Sequence, residues 1–233
     1  MPQLPLLDAA AASSDVELKP SWRGWIHAAT FPVAIAAGVV LIALAHNSAA
    51  SKWACAVFMA TSLLLFGNSA LYHRFTWRPK TKAVLKRIDH ANILLLIAGT
   101  YTPLATLALP PDEGLILLIL VWSGALLGIL FRVFWIGAPR WLYVALYLLL
   151  GWAAVMYIVP LFRANVAMMI LVIVGGLLYT GGAVVYAVKK PNPWPGHFGF
   201  HEIFHVCTVL AFLCHWTACL LIALQPLAPS LGA

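Results

Sequence analysis

Two short stretches of otherwise apolar sequence carry histidines whose spacing suits a metal ion. His201 and His205 are four residues apart, so in a helix both imidazoles project from one face, and such a pair can chelate one ion. His73 ends another apolar stretch and can supply a third nitrogen. Three protein ligands with a fourth position open to water are typical of catalytic zinc. We therefore predict a Zn2+ site formed by His73, His201 and His205.

Further polar residues are predicted to lie beside these ligands. Asp89 opens the next apolar stretch at a similar depth, where it can hydrogen-bond the water on the metal or take its proton. Ser69 lies one helical turn deeper than His73 on the same face and can orient water or a substrate oxygen. Three more ionisable residues at this level are predicted to support the ligands: His27, His90 and Glu202.

The composition places these residues in a membrane. Of the 233 residues, 63% are hydrophobic and 9% are charged, whereas soluble domains carry roughly 25% charged residues. A helix of roughly 20 apolar residues crosses the hydrocarbon core, and helices satisfy their own backbone groups there. The sequence predicts an all-α integral membrane protein with seven transmembrane helices at 25–45, 53–73, 88–109, 115–136, 141–159, 166–188 and 199–224. It predicts a flexible cytoplasmic tail at 1–22, a membrane domain at 23–226 and a short outer tail at 227–233.

Basic residues are distributed unevenly between the two ends of this predicted bundle. All but two of the 14 Lys and Arg residues lie before the first segment or near the connections after the second, fourth and sixth segments; the exceptions are Lys52 and Arg163. Cytoplasmic connections carry the excess of Lys and Arg, so we predict a cytoplasmic N-terminus and a C-terminus outside. The net charge of +7 then indicates contact with membrane lipids and not with nucleic acid.

Four stretches resemble the hemolysin III family, the bacterial branch of the progestin and adipoQ receptor superfamily. They lie at 23–27 (Arg-Gly-Trp-Ile-His), at 69–74 (Ser-Ala-Leu-Tyr-His-Arg), at 89–103 with its Asp-His-Ala-Asn-Ile start, and at 198–205 (Phe-Gly-Phe-His-Glu-Ile-Phe-His). The resemblance implies seven helices in a bacterial plasma membrane and an N-terminus inside. It also implies a zinc ion near the cytoplasmic face on His73, His201 and His205, with Asp89 bound through water and Ser69 beside it.

Three functions remain open at this point. The superfamily is similar to alkaline ceramidases, which implies a zinc-dependent hydrolase of lipid amides or esters. A non-enzymatic receptor-like, membrane-homeostasis or pore-forming cytolytic protein with structural zinc is the alternative. The least favoured is an intramembrane metalloprotease, because the stretch from His201 to His205 reads H-E-x-x-H with Glu202 as the general base.

Glycines are spaced for close helix packing in two of the predicted segments. Gly124 and Gly128 form a G-x-x-x-G pattern, and Gly175-Gly176 and Gly181-Gly182 form pairs in a later segment. Small residues let helix backbones approach closely in a membrane. The pattern indicates either packing within the bundle or the face of a homodimer.

Overall fold

The computed structural model describes residues 20–46, 48–135 and 138–225, which form a bundle of helices. Most of the two predicted tails, 1–22 and 227–233, and the predicted end of the fourth segment at Ile136 lie outside these residues. The helices are α1 (Trp25–Leu44), α2 (Ala49–Arg74), α3 (Pro79–Ala108), α4 (Pro111–Phe134), α5 (Arg140–Gly151), a 3-10 helix (Ala153–Tyr157), α6 (Ile158–Ala164), α7 (Val166–Val188) and α8 (Phe200–Leu224).

Among the residues that the structure describes, seven helical spans are long and apolar enough to cross a membrane, with Trp141–Ala164 counted as the fifth. Within the described ranges the only β-pairing is an isolated bridge between Trp194 and Phe198. Large apolar side chains such as Val39, Leu127 and Leu149 are more than half exposed on the outside of the bundle. Soluble monomers rarely expose apolar surface on this scale. The predicted all-α, seven-helix membrane fold is confirmed.

Three helices begin at least four residues earlier than the hydropathy pattern predicts, and α4 is one of them, with its start at Pro111 instead of residue 115. α2 begins at Ala49 instead of residue 53, because Ser48 caps it by accepting a hydrogen bond from the Ser51 N–H at 3.1 Å. α3 begins at Pro79 instead of residue 88, and its first turns carry the exposed side chains of Lys80, Lys82 and Lys86. Proline at the first helical position and long basic side chains favour a helix outside the hydrocarbon core, where hydropathy carries no signal.

The fifth span is broken, so the predicted continuous helix at 141–159 is wrong in this respect. α5 ends at Gly151, and a 3-10 helix leads into α6. The Tyr101 hydroxyl of α3 donates to the Gly151 carbonyl at 2.7 Å and accepts from the Ala154 N–H at 2.8 Å. Trp152 Nε1 donates to Thr180 Oγ1 at 3.0 Å. Side chains of neighbouring helices thus satisfy polar groups at the break, as a break at membrane depth requires.

The patterned glycines other than Gly181 pack against neighbouring helices of the bundle. A Cβ atom added at Gly124 would lie 2.8 Å from Leu150 Cδ1 of α5, and one added at Gly128 would lie 2.8 Å from Leu94 Cδ1 of α3. A Cβ at Gly182 of α7 would lie 2.8 Å from Cys207 Cβ of α8. Close approach of neighbouring helices in one chain therefore accounts for these glycines.

We expect a cytoplasmic reporter inserted in the loop between α2 and α3 to be active, and the same reporter fused behind the last residue to be silent. The excess of basic residues at the first of these ends favours its retention in the cytoplasm. Reporter activity in intact cells measures both placements. Equal activity at the two positions would contradict an odd number of crossings.

Tyr101→Phe should lower the free energy of unfolding by about 1–3 kcal/mol, because it leaves the Gly151 carbonyl and the buried Ala154 N–H without their partner. Thermal unfolding of the purified protein in detergent measures the loss. Tyr157→Phe, in the 3-10 helix itself, is the matched control and should leave stability nearly unchanged. A similar loss in both variants would show that the Tyr101 hydroxyl does not stabilise the break.

Candidate metal centre

The candidate metal centre lies where three helices meet at one end of the bundle. His73 lies in the last turn of α2, and His201 and His205 lie in the first two turns of α8. Asp89 belongs to α3, which lies against both α2 and α8. The chain alternates in direction from span to span, so the end of α2 and the start of α8 come to the same level.

The structure brings the three predicted ligands together. His73, His201 and His205 each offer a nitrogen, and these atoms all lie within 4.8 Å of one another. The ring centroids are 4.7 Å apart for His201 and His205, 4.8 Å for His73 and His201, and 5.2 Å for His73 and His205. Zinc binds imidazole nitrogen at about 2.0–2.1 Å, so small side-chain rotations bring this set to ligand distance.

The chemistry of the group suits a metal ion. His205 is 2% exposed, and its Nδ1 atom has no hydrogen-bond partner among the described residues. A buried polar atom without a partner is costly, and metal coordination is one way to satisfy a buried imidazole cluster. Three nitrogen ligands from two helices, with a carboxylate beside them, are compatible with a zinc site that has an open position.

Asp89 and Ser69 lie beside the histidines in different ways. Asp89 Oδ2 is 3.8 Å from His73 Nε2, which is longer than a direct hydrogen bond and leaves room for a bridging water. Ser69 is buried, and its Oγ atom shares a hydrogen bond with His27 Nδ1 at 2.8 Å. Both side chains line the same cavity as the three histidines. Their placement at the cluster agrees with the predicted one, and their roles stay predictions.

His27 and His90, both predicted to support the ligands, have different surroundings. The His27 ring stacks on the His205 ring, with centroids 3.9 Å apart and planes 14° apart. It therefore fixes the orientation of one candidate ligand directly. His90 shares a hydrogen bond between its Nδ1 atom and the Lys86 carbonyl at 2.7 Å, and its ring lies edge-on to Tyr143 of α5. His90 lines the cavity outside the group of three histidines.

Glu202 has both carboxylate oxygens occupied. Arg23 Nε donates to Oε1, and the Gly199 N–H donates to Oε2 at 2.9 Å. The side chain is fully buried, accepts from the N–H of the N-cap residue Gly199 at the start of α8 and ties this helix to the residues before α1. A carboxylate held in this way is poorly placed to act as the general base of a metalloprotease, so the structure disfavours that interpretation.

Arg23 lies at the site through its contact with Glu202. The sequence does not predict this role, because Arg23 is one of several basic residues at this end of the predicted bundle. The chain around it is also paired with the loop before α8. The Ser21 and Trp22 N–H groups donate to the carbonyls of Gly196 and His197 at 3.1 and 3.3 Å. Residues 20–23 therefore hold the first turn of α8, which carries His201, against the first turn of α1.

A large cavity extends from the histidines into the bundle. Its volume is about 880 Å³, and its deeper walls are mainly apolar side chains of α3, the fifth span and α7, including Leu96, Ile97, Leu104, Met169 and Ile173. Its outer rim includes the exposed residues Thr76, Lys82 and Lys86. The three histidines and Asp89 thus lie between a polar opening and an apolar interior.

Sequence comparisons place this architecture among known proteins. The sequence profile of the family described as Haemolysin-III related matches residues 17–216, which include all three histidines. The chain belongs to the haemolysin III family. It is 38% identical over 168 residues to the hemolysin-3 homolog of Bacillus subtilis (strain 168), covering 72% of this chain and 76% of that protein. It is 32% identical over 161 residues to hemolysin-3 of Bacillus cereus, covering 68% of this chain and 73% of that protein.

Membership of the haemolysin III family confirms the resemblance predicted from the four sequence stretches. Both relatives come from bacteria. The described part of this chain contains seven helical spans that are long and apolar enough to cross a membrane. The protein is therefore an integral membrane protein of a bacterial plasma membrane. Its group of three histidines lies inside the part of the chain that the family shares.

We expect about one zinc ion per chain when the protein is purified from zinc-containing medium. His201→Ala or His205→Ala should abolish binding, because each removes half of the helical chelating pair. His73→Ala should weaken it by at least about tenfold. Elemental analysis and competition with a chelator of known affinity measure content and affinity.

His46→Ala is the control for these variants. His46 is exposed at the opposite end of the bundle, where its backbone N–H donates to the Ala223 carbonyl. Its replacement should leave metal content unchanged. Full zinc content in the double variant His201→Ala/His205→Ala would rule out this site.

Proposed function

We propose that this protein is a zinc-dependent hydrolase of lipid amides or esters. The observation that carries the proposal is the position of the histidine cluster and Asp89 at the polar end of a large apolar cavity inside a membrane protein. Metal-assisted hydrolysis needs ligands, a proton acceptor and a site for the substrate. This cavity brings together three candidate ligands, a carboxylate that can accept a proton, and an apolar space for a substrate.

His73, His201 and His205 would hold the metal. Zinc bound there supplies Lewis-acid polarisation of the substrate carbonyl and lowers the pKa of water to about 7. The protein has to hold the three imidazoles neutral and correctly turned. The stacking of His27 on His205 and the hydrogen bond between His27 and Ser69 serve this purpose.

Asp89 is the proposed proton acceptor. Its carboxylate is 3.8 Å from His73 Nε2, so a water can lie between Asp89 and the cluster. As water adds to the acyl carbon, Asp89 takes one of its protons and then passes it to the departing amine or alcohol. Glu202 cannot share this role while Arg23 and the Gly199 N–H hold both its oxygens.

The apolar part of the cavity is the proposed site for an acyl chain. Val155 and Ile158, in the broken part of the fifth span, line the cavity and are 49% and 36% exposed, so we propose this part of the span as the opening toward the bilayer. An acyl chain can therefore reach the cavity from the bilayer. A lipid held in this way has its carbonyl at the histidine end and its hydrocarbon in the interior.

A non-enzymatic protein with structural zinc is the second candidate, and one observation favours it. The ligands come from α2 and α8, which are far apart in sequence, so a bound ion would link two helices and stabilise the bundle. Both candidates require the metal. Only the hydrolase requires Asp89 for turnover.

Asp89→Asn should retain zinc and lower kcat for a lipid amide or ester by roughly 100-fold or more, because the amide cannot accept the proton. Glu202→Gln, which also replaces a carboxylate by its isosteric amide, should keep most of the turnover. Release of fatty acid from ceramide and phospholipid panels measures kcat, with and without chelator. Turnover that survives in Asp89→Asn and is lost in Glu202→Gln would refute the assignment of the base.

A negative result in every lipid assay, with zinc still bound, would favour the structural role. Removal of zinc should then lower the temperature of unfolding without any change in lipid composition. The two candidates are thus separated by fatty acid release on one side and thermal stability on the other.

A further inference from the structure

Two lysines at the mouth of the cavity lie on the same stripe of α3 as Asp89. Lys82 and Lys86 are four residues apart, and Asp89 follows three residues later, so all three project from one helix face. All three line the cavity. Lys86 lies about 4.5 Å and Lys82 about 10.5 Å of helix rise outside Asp89. Positive charge therefore lies directly outside the proposed reaction centre.

These two lysines have no acidic partner among the described residues. The ion pairs in that part of the chain join Arg23 to Glu202 and His73 to Asp89. The other described acids, Asp112 and Glu113, lie in the first turn of α4 at the opposite end of the bundle. Lys82 and Lys86 are exposed at the rim, so their ammonium groups are available to a ligand in the cavity.

The rule that cytoplasmic loops are basic does not explain the stripe. Arg78, Lys80 and Lys190 lie at the same end and do not line the cavity. Anionic lipid headgroups at the membrane surface attract each of these basic side chains equally. Only Lys82 and Lys86 share the α3 face that continues past Asp89 into the apolar interior.

We propose that Lys82 and Lys86 bind the phosphate of an anionic substrate, an acyl ester of glycerol phosphate. In such a lipid the phosphate is only a few bonds from the acyl carbonyl, which matches the rise from Asp89 to the lysines. Lysine ammonium groups bind phosphate as point charges. A neutral lipid such as ceramide gains nothing from them. This inference rests on the proposed hydrolase.

The reaction balances with water alone. For an ester, the water oxygen joins the acyl carbon, and the bond from that carbon to the glycerol oxygen breaks. One proton of the water passes through Asp89 to the glycerol oxygen. The products are a fatty acid and a glycerol phosphate, whose phosphate remains beside the lysines at the polar opening and can leave toward water.

The test compares two lipids that differ only in the phosphate: oleoyl lysophosphatidate and monooleoylglycerol, each in micelles of a neutral maltoside detergent. The wild-type protein should hydrolyse the lysophosphatidate with about tenfold higher kcat/KM. Lys82→Gln/Lys86→Gln should bring the ratio of the kcat/KM values for the two lipids close to one. Lys80→Gln/Lys190→Gln removes the same charge outside the cavity and should keep the preference.

Equal rates for the two lipids in the wild-type protein would overturn the inference while leaving the hydrolase intact. The inference would also be overturned if Lys82→Gln/Lys86→Gln kept the preference for lysophosphatidate. The same holds if Lys80→Gln/Lys190→Gln lost this preference to the same extent. Free glycerol phosphate, which lacks the acyl chain, should not inhibit the hydrolysis of monooleoylglycerol at the concentration used for oleoyl lysophosphatidate. If free glycerol phosphate inhibits monooleoylglycerol hydrolysis as strongly as oleoyl lysophosphatidate does, Lys82 and Lys86 bind a soluble phosphate compound. The inference of a phospholipid substrate is then overturned.

Failure of the hydrolase itself is distinguished by a binding measurement. If neither lipid is hydrolysed, native mass spectrometry of the protein with both lipids present measures their relative retention. About tenfold higher retention of the lysophosphatidate in the wild-type protein, lost in Lys82→Gln/Lys86→Gln only, would support the phosphate site without hydrolysis. Equal retention would overturn it.

Discussion

Polar groups inside a bilayer have no water to satisfy them, so each one must find a partner within the protein. This constraint accounts for the main internal features of the bundle. Tyr101 holds the backbone at the break in the fifth span. Arg23 neutralises Glu202, which is fully buried. His73, His201 and His205 gather in one group, where a single ion can serve all three. The apolar helices carry this polar network at one end of the bundle.

The sequence predicts much of this arrangement because the same constraint leaves a record in it. Seven apolar runs indicate seven spans, and His73, His201 and His205 stand out because ionisable residues are rare at membrane depth. Their common level follows from the alternation of the spans, which needs only the distribution of basic residues. Hydropathy and the positions of charged residues along the chain thus predict the spans and the proximity of the three histidines, and the structure contains both.

Other features depend on contacts between distant residues, which hydropathy does not contain. The break after Gly151 needs a hydroxyl from α3, and nothing in the local sequence of the fifth span requires it. The pairing of Arg23 with Glu202 joins residues at opposite ends of the chain. The early start of α3 at Pro79 lies outside the hydrocarbon core, where helix propensity decides and an apolar window gives no signal.

The pairing of residues 20–23 with the start of α8 has a consequence for biosynthesis. A ribosome makes the chain from the N-terminus, so Arg23 and His73 are in the membrane long before His201 and His205 are synthesised. Until the last span is inserted, Arg23 lacks its acidic partner and the histidine group is incomplete. Loading of a metal ion at the candidate site would therefore follow insertion of the whole bundle, because a nascent or truncated chain lacks His201 and His205. An ion bound at the candidate site would mark a chain whose second and last spans have met.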